Sequence, residues 1–376
     1  MTRVDRRARP ADNAGMRIGL ARRGYSATGG AERYLLRFAS GLAAHGHEPV
    51  LVATADWPEA AWPHGARILV RNGRTPGDFA RGVRDLRPRA PIDFLFSLER
   101  LWECDAYRAG DGVHAAWLDR RAAAGPRWRG TFRRLQPKHR GILALEASLF
   151  GGGARAIIVN SRMVGDEIRA RYPSAANRIH LVHNGYDLPA PEAGVDPRSV
   201  RAATRRSLGV GEAGLLVLFT GSGWERKGLR TAVAAVRLLA NPALHLVVAG
   251  RGKGQRQLEG PQVHFPGATS DLAALYEAAD FFVLPTLYDP FSNACLEAAA
   301  HGLPVITTTA NGFADCMQPG RHGELVAPGD PRALAEALAA WCAPGRAAAA
   351  RDDCRRNVAG LTVAANVEAT LAALGL

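Results

Sequence analysis

A chain of 376 residues, 47% of them hydrophobic, is long enough to build two cores and too apolar for a disordered polymer. Its five cysteines (Cys104, Cys295, Cys316, Cys342 and Cys354) are odd in number, scattered and without a C-x-x-C pair, which argues against a disulfide framework or a zinc site and fits a reducing cytoplasm. The net charge of +13, carried almost wholly by arginine, favours nucleotide diphosphates, anionic phospholipid or nucleic acid without choosing among them.

Residues 1–15 are arginine-rich without apolar periodicity and read as a disordered extension. No apolar h-region follows those arginines and no apolar run approaches the ~20 residues that span a bilayer, so neither secretion nor an integral anchor is expected. After Met16 comes a strand pattern over 17–21, then a loop with Gly29-Gly30, then helical periodicity through Leu35, Leu36, Phe38 and Leu42. Paired glycines let a backbone approach a ligand closely, yet without a full G-x-G-x-x-G they fit an ordinary strand-to-helix turn equally well. Strand patterns at 49–53, 67–70 and 92–96 alternate with a helix over 77–86, the signature of a parallel, doubly wound sheet. Ligands of such sheets gather outside the carboxyl ends of the strands, which points to the loop after Phe96 and to Asp111 and His114 beyond it.

Residues 117–140 carry seven arginines and Lys138 against the single Asp119, interleaved with Trp117, Trp128, Phe132 and Leu135. Arginines meeting anionic lipid and tryptophans at the headgroup level would suit a membrane surface. Bases stacked on the aromatics, or a solvated loop, fit the same composition. A strand pattern at 180–183 then runs into Asn184-Gly185-Tyr186-Asp187 and a segment rich in proline and acid over 188–197, the best domain boundary in the chain.

The second domain restarts with a buried strand over 214–219, a glycine loop at 220–223 and the adjacent cations Arg226 and Lys227. Two cations expected at a helix start are unfavourable there without an anionic partner such as a diphosphate. Further strand-helix units follow, one with Gly267-Ala268 between its strand and helix. The apolar run 280–284 leads through Asp289 and Pro290 into a helix beginning near Ser292. The first amides of that helix, on Ser292, Asn293 and Ala294, together with its dipole would receive phosphate. Glu297 lies in the helix with seven residues between it and Asp289, and a small-residue run leads to Gly302-Leu303-Pro304. Two acids and an anion site would share one cleft.

Residues 285–304, with Gly29-Gly30 and Arg226-Lys227, resemble the retaining GT-B glycosyltransferases of family 4, whose donor motif is E-x7-E followed by A-x-G-x-P; Asp289 stands here for the first Glu. Among these the chain is most similar to the lipopolysaccharide core enzymes. The resemblance implies an α/β GT-B fold, two Rossmann-like doubly wound domains facing across a cleft. Its acceptor-side domain would be 16–187, its nucleotide-sugar domain 188–358, and its last helix, 359–376, would cross back to the first domain. It implies that Glu297 binds the ribose hydroxyls, Asp289 holds donor-sugar hydroxyls, Arg226 and Lys227 neutralise the leaving diphosphate, Gly267 and Ala268 serve the base, and Gly29 and Gly30 lie beneath the phosphates. Asp111 falls in a loop where related transferases place an acid or histidine near the reacting sugar.

The expected partners are a nucleotide-sugar donor, probed first as UDP-sugars, and a bacterial cell-envelope glycan or glycolipid acceptor. An anionic membrane surface would be met through 117–140, placing a hexosyltransferase on the inner face of the cytoplasmic membrane, and no nucleic acid is expected. With no D-x-D in the chain, side-chain cations would do the work of a metal; no metal and no cofactor are expected. Two readings compete: a nucleotide-sugar epimerase of the same fold, and a nucleic-acid-binding protein using the basic segment.

Overall fold

The computed structural model describes residues 15–26, 30–71, 73–123, 136–190, 194, 196–267, 269 and 271–376. The proposed extension up to residue 14, Gly29, Ala268 and positions 124–135 of the basic segment lie outside the described residues. The described residues gather into two compact units, one drawn from 15–108, 141–157 and 374–376, the other from 109–123, 136–140 and 158–373.

The first sheet contains β1 (Arg17–Arg22), β2 (Glu48–Thr54), β3 (Arg67–Val70), β4 (Phe94–Ser97), β5 (Cys104–Arg108), β6 (Ala154–Val159) and β7 (Ile179–Leu181), in the order β3-β2-β1-β4-β5-β6-β7. The second contains β8 (Leu215–Thr220), β9 (Leu244–Ala249), β10 (Val263–Gly267), β11 (Phe281–Leu284), β12 (Val305–Thr308) and β13 (Gly323–Val326), in the order β10-β9-β8-β11-β12-β13. Every neighbouring pair in the second sheet is parallel. Each sheet therefore reverses direction beside its first strand, between β1 and β4 and between β8 and β11, and such a reversal opens a crevice at the carboxyl ends.

The unbroken apolar runs explain the parallel pairing. Leu216 to Phe219 of β8 and Phe281 to Leu284 of β11 are fully buried, as strands covered by helices on both faces must be. Helices Leu229–Leu239 and Pro331–Trp341 contribute Leu229, Val233, Val236, Leu334, Leu338 and Trp341 to the same core. Among the described residues one stretch, Arg346–Leu374, has the length and mean hydropathy of a membrane span. In the fold it is two helices, Arg346–Val358 and Val363–Leu374, of 13 and 12 residues, with Cys354, Val358, Val367 and Leu371 buried. The Asn184–Asp187 link runs beside the break between them: the Tyr186 amide donates to the Leu361 carbonyl at 2.9 Å, and the Val363 amide donates to Asp187 Oδ1 at 2.9 Å.

Candidate active site

The reversal in the second sheet brings together two loops that are 60 residues apart in sequence. After β8 the chain turns through Gly221 and Gly223, both at positive φ, into the one-turn helix Trp224–Lys227, which Gly228 ends in the left-handed region at φ 76°. A Cβ on Gly228 would overlap the Pro285 carbonyl oxygen, so the two loops can touch only because that position is glycine. The contact is then stitched by the Arg226 carbonyl, which accepts from the Leu287 amide and from Thr286 Oγ1, each at 2.8 Å.

Arg226 and Lys227 thus close a one-turn helix and stand immediately before Gly228, the N-cap of helix Leu229–Leu239, the helix start that the sequence suggests. The anionic partner that two cations need at a helix start is supplied by Asp289. Lys227 Nζ donates to Asp289 Oδ2 at 2.8 Å, and Arg226 Nη1 donates to the Tyr288 carbonyl at 2.9 Å while lying 3.6 Å from the same carboxylate. Burial alone would raise the Asp289 carboxyl, but Lys227 and Arg226 outweigh it and hold it below the usual carboxylate range. Arg226 keeps 38% of its side chain exposed, whereas Lys227 and Asp289 keep 13% and 7%, so Arg226 is the member of the trio that presents charge to solvent.

Asp289 is fixed from the backbone as well. Its amide donates to the Ala310 carbonyl and its carbonyl accepts from Gly312, each at 2.9 Å. Ser292 caps helix Asn293–Ala300, its side chain accepting from the Cys295 amide. The Ser292 amide itself donates to Asn311 Oδ1 at 3.2 Å, so it is satisfied within the protein and is not one of the donors open to phosphate. The amides of Asn293 and Ala294 remain as the first-turn donors that a helix does not use. Asn293 is exposed, and its side-chain oxygen accepts from Asn184 Nδ2 at 2.7 Å.

Glu297, half-buried one turn into this helix, accepts from the Tyr276 hydroxyl at 3.0 Å. Tyr276 is 1% exposed, lies 3.4 Å from Thr220 Oγ1 at the end of β8, and stacks on His301 at 4.9 Å. Burial, with the Glu297 carboxylate beside it, pushes the phenol up, so it remains a donor. Gly267 ends β10 at φ 84°, its carbonyl accepting from the Gly250 amide at 2.9 Å. Asp111 is exposed at the tip of a turn closed by the Gly112 amide donating to the Ala109 carbonyl at 3.0 Å. His114, just after it, lies 3.0 Å from His139 through their ring nitrogens.

At the reversal of the first sheet, Gly30 opens helix Gly30–Ala44 and is exposed. Arg22, at the end of β1, donates to Glu32 at 3.1 and 3.2 Å and to Glu99 at 2.8 Å. Glu32, two residues past Gly30, is 5% exposed, so its ion pair with Arg22 is buried.

Two family models divide the chain as the sheets do: the Glycosyltransferase Family 4 model matches residues 28–189 and the Glycosyl transferases group 1 model matches residues 214–343. A probable transglycosylase of Burkholderia thailandensis is 31% identical over 330 residues, covering 85% of this chain and 84% of its own. The chain belongs to the GT-B glycosyltransferases. Like it, the lipopolysaccharide glucosyltransferase WaaG of Escherichia coli is a relative, 26% identical over 81% of this chain and 83% of its own. The solved structure of WaaG superposes on this glycosyltransferase with a TM-score of 0.76, at 22% identity over 94% of this chain and 98% of that one. HepE of Anabaena, solved with UDP and glucose, gives a TM-score of 0.72 at 18% identity over 96% of this chain and 99% of that one.

The glycosyltransferase therefore brings Arg226, Lys227, Asp289, Asn293, Ala294 and Glu297 to the same end of one sheet. Tyr276, Tyr288 and Asn311, which hold these groups in place, escape sequence reasoning because each is joined to its partner only through the fold. The one signal was Tyr288 itself, a large aromatic inside a polar loop and 2% exposed.

Proposed function

We propose that this glycosyltransferase moves a hexosyl group, with retention of anomeric configuration, from a UDP-sugar to a glycan or glycolipid of the bacterial cell envelope such as lipopolysaccharide core. The observation that carries this reading is the meeting of Arg226, Lys227 and Asp289 at the reversal of the second sheet. A nucleotide diphosphate leaves with developing negative charge, and preorganised cations stabilise that charge without reorganising as it forms. Arg226, the more exposed cation, would meet the diphosphate first, and the first-turn amides of Asn293 and Ala294 would share its charge. Glu297, oriented by Tyr276, would accept from ribose hydroxyls, and main-chain groups at Gly267 and Ala268 would serve the base. Gly29 and Gly30 would lie beneath the phosphates, Asp289 would hold the donor sugar, and Asp111 would stand near the reacting sugar on the acceptor side. The UDP and glucose bound by HepE and the lipopolysaccharide role of WaaG support the choice of donor and acceptor.

With cations supplied by side chains, the reaction would need no metal and no cofactor. The enzyme would work on the cytoplasmic side of the membrane, docking reversibly through residues 117–140. The test is incubation with labelled UDP-sugars and candidate envelope acceptors, with and without EDTA. Transfer that survives EDTA is expected. Isomerisation of the sugar without transfer would assign an epimerase, and a strict need for added Mn²⁺ or Mg²⁺ would remove the metal-free mechanism.

A further inference from the structure

Two segments remote in sequence meet at one phenol. The Tyr288 hydroxyl, one residue before Asp289, accepts from the Val113 amide at 2.9 Å and donates to Glu167 Oε2 at 2.8 Å. The other oxygen of Glu167 accepts from Arg120 at 2.8 Å, and that guanidinium lies 5.4 Å from the centre of the Tyr288 ring. Trp117 stacks on the same ring at 6.3 Å between centroids. Gly112, at φ 66°, lies so close that a Cβ would overlap the phenol oxygen. A second tether runs from Arg121 to both oxygens of Glu225, at 3.1 and 3.2 Å, and Glu225 immediately precedes Arg226.

We propose that Tyr288 is a positioning residue, its hydroxyl pinning the turn that carries Asp111 in register with Asp289. The proposal rests on the reading of Asp111 as a group beside the reacting sugar. A phenol that gives one hydrogen bond and accepts another fixes both distance and direction, which packing alone does not. Removing its oxygen leaves the Val113 amide without its acceptor and one Glu167 oxygen without its donor, while the ring and its stacking stay. Because Tyr288 and Asp289 are adjacent in one loop, the turn is referenced to the acid itself. A misplacement of ~1 Å at a reacting centre can cost on the order of 10²-fold in rate.

The experiment compares Tyr288→Phe, Glu167→Ala and Glu167→Gln with the wild type by hydrogen exchange over residues 109–117, UDP affinity by calorimetry, and transfer kinetics from a UDP-sugar. Tyr288→Phe is expected to fold, bind UDP with an affinity within about twofold, exchange the Val113 amide at least ~10-fold faster and lose about 10-fold or more in kcat. Glu167→Ala should follow it. Glu167→Gln keeps an oxygen for the phenol proton and should retain kcat within about threefold. If Tyr288→Phe does not fold, the contrast between the two Glu167 variants decides the matter alone. Unchanged Val113 exchange would overturn the pin. Faster exchange with unchanged kcat, or a loss confined to UDP affinity, would overturn the positioning role. A wild type that binds UDP yet transfers no sugar would overturn the reading of Asp111 and this role with it, while the exchange data still reported on the pin.

Discussion

Lys227 Nζ and Asp289 Oδ2 are 2.8 Å apart, joining the loop after β8 to the loop after β11. The two groups that the sequence assigns to different parts of a donor, diphosphate and sugar, are therefore partners in one ion pair. A pair acting as a unit is not additive under mutation. Lys227→Met and Asp289→Asn should each lower kcat by about 10²-fold, and the double variant should be little worse than either. Rates for all three, combined in a double-mutant cycle, check this; losses that multiplied in full would show the two groups acting separately. Arg226→Ala, which breaks only a half-exposed contact, should cost a similar factor in turnover with its melting temperature nearly unchanged.

The acid of that pair also sets a pH dependence. Lys227 and Arg226 hold the Asp289 carboxyl below the usual carboxylate range, so the pair contributes stability that is fully present above the unfolded value of ~3.9 and is lost as pH falls through the lower folded value. The difference in melting temperature between wild type and Asp289→Asn should be flat from about pH 8 to pH 5 and should shrink below about pH 4. Calorimetric scans across that range measure it. A difference that widened on acidification would mean that Asp289 is held above its ordinary value.

The alternation of apolar runs with helical periodicity made both doubly wound sheets legible, because parallel strands buried on two faces leave continuous stretches such as Leu215 to Phe219. The positions of Arg226, Lys227, Asp289 and Glu297 were legible too, as short-range motifs attached to strand ends. Their surroundings were not. Arg226 and Lys227 do precede helix Leu229–Leu239 as the sequence suggests, but the one-turn helix they close, and the approach of Pro285 that Gly228 allows from 57 residues away, have no signature in sequence. The Ser292 amide looks free in sequence because Asn311, which takes it, lies beyond the next strand.

Glu297 offers a sharper division of labour. Its carboxylate is oriented by Tyr276, whose hydroxyl also meets Thr220 at the end of β8, where the glycine loop begins. A group that binds the donor nucleotide equally in ground and transition states raises KM without lowering kcat when it is lost. Glu297→Gln should therefore weaken UDP binding directly. Tyr276→Phe should raise donor KM by a smaller factor of roughly 5-fold, equivalent to about 1 kcal/mol for one hydrogen bond, and leave kcat in place. Calorimetry with UDP and initial-rate kinetics separate the outcomes. A fall in kcat at constant KM in Tyr276→Phe would move this tyrosine from donor binding to the chemical step.

The basic segment gives the remaining test: Arg120, Arg121 and Trp117 are taken up by Glu167, Glu225 and Tyr288, which leaves five arginines and Lys138 of residues 117–140, with Trp128, Phe132 and Leu135, as the composition that the proposed docking would use. A cation near an anionic surface contributes on the order of 1 kcal/mol, so several together could hold the enzyme without a spanning helix. The attraction is screened beyond ~10 Å at 0.1 M salt, so docking should be released as ionic strength rises. In vesicle co-sedimentation the wild type should bind phosphatidylglycerol-containing vesicles, ignore neutral ones and be released by salt. Replacing Arg127, Arg129, Arg133 and Arg134 by Ser should abolish most of that binding while leaving UDP affinity intact, since none of the four belongs to the donor loops. Binding that ignored lipid charge, or that the quadruple variant retained in full, would make the segment an ordinary solvated loop and remove the support for a lipid-borne acceptor.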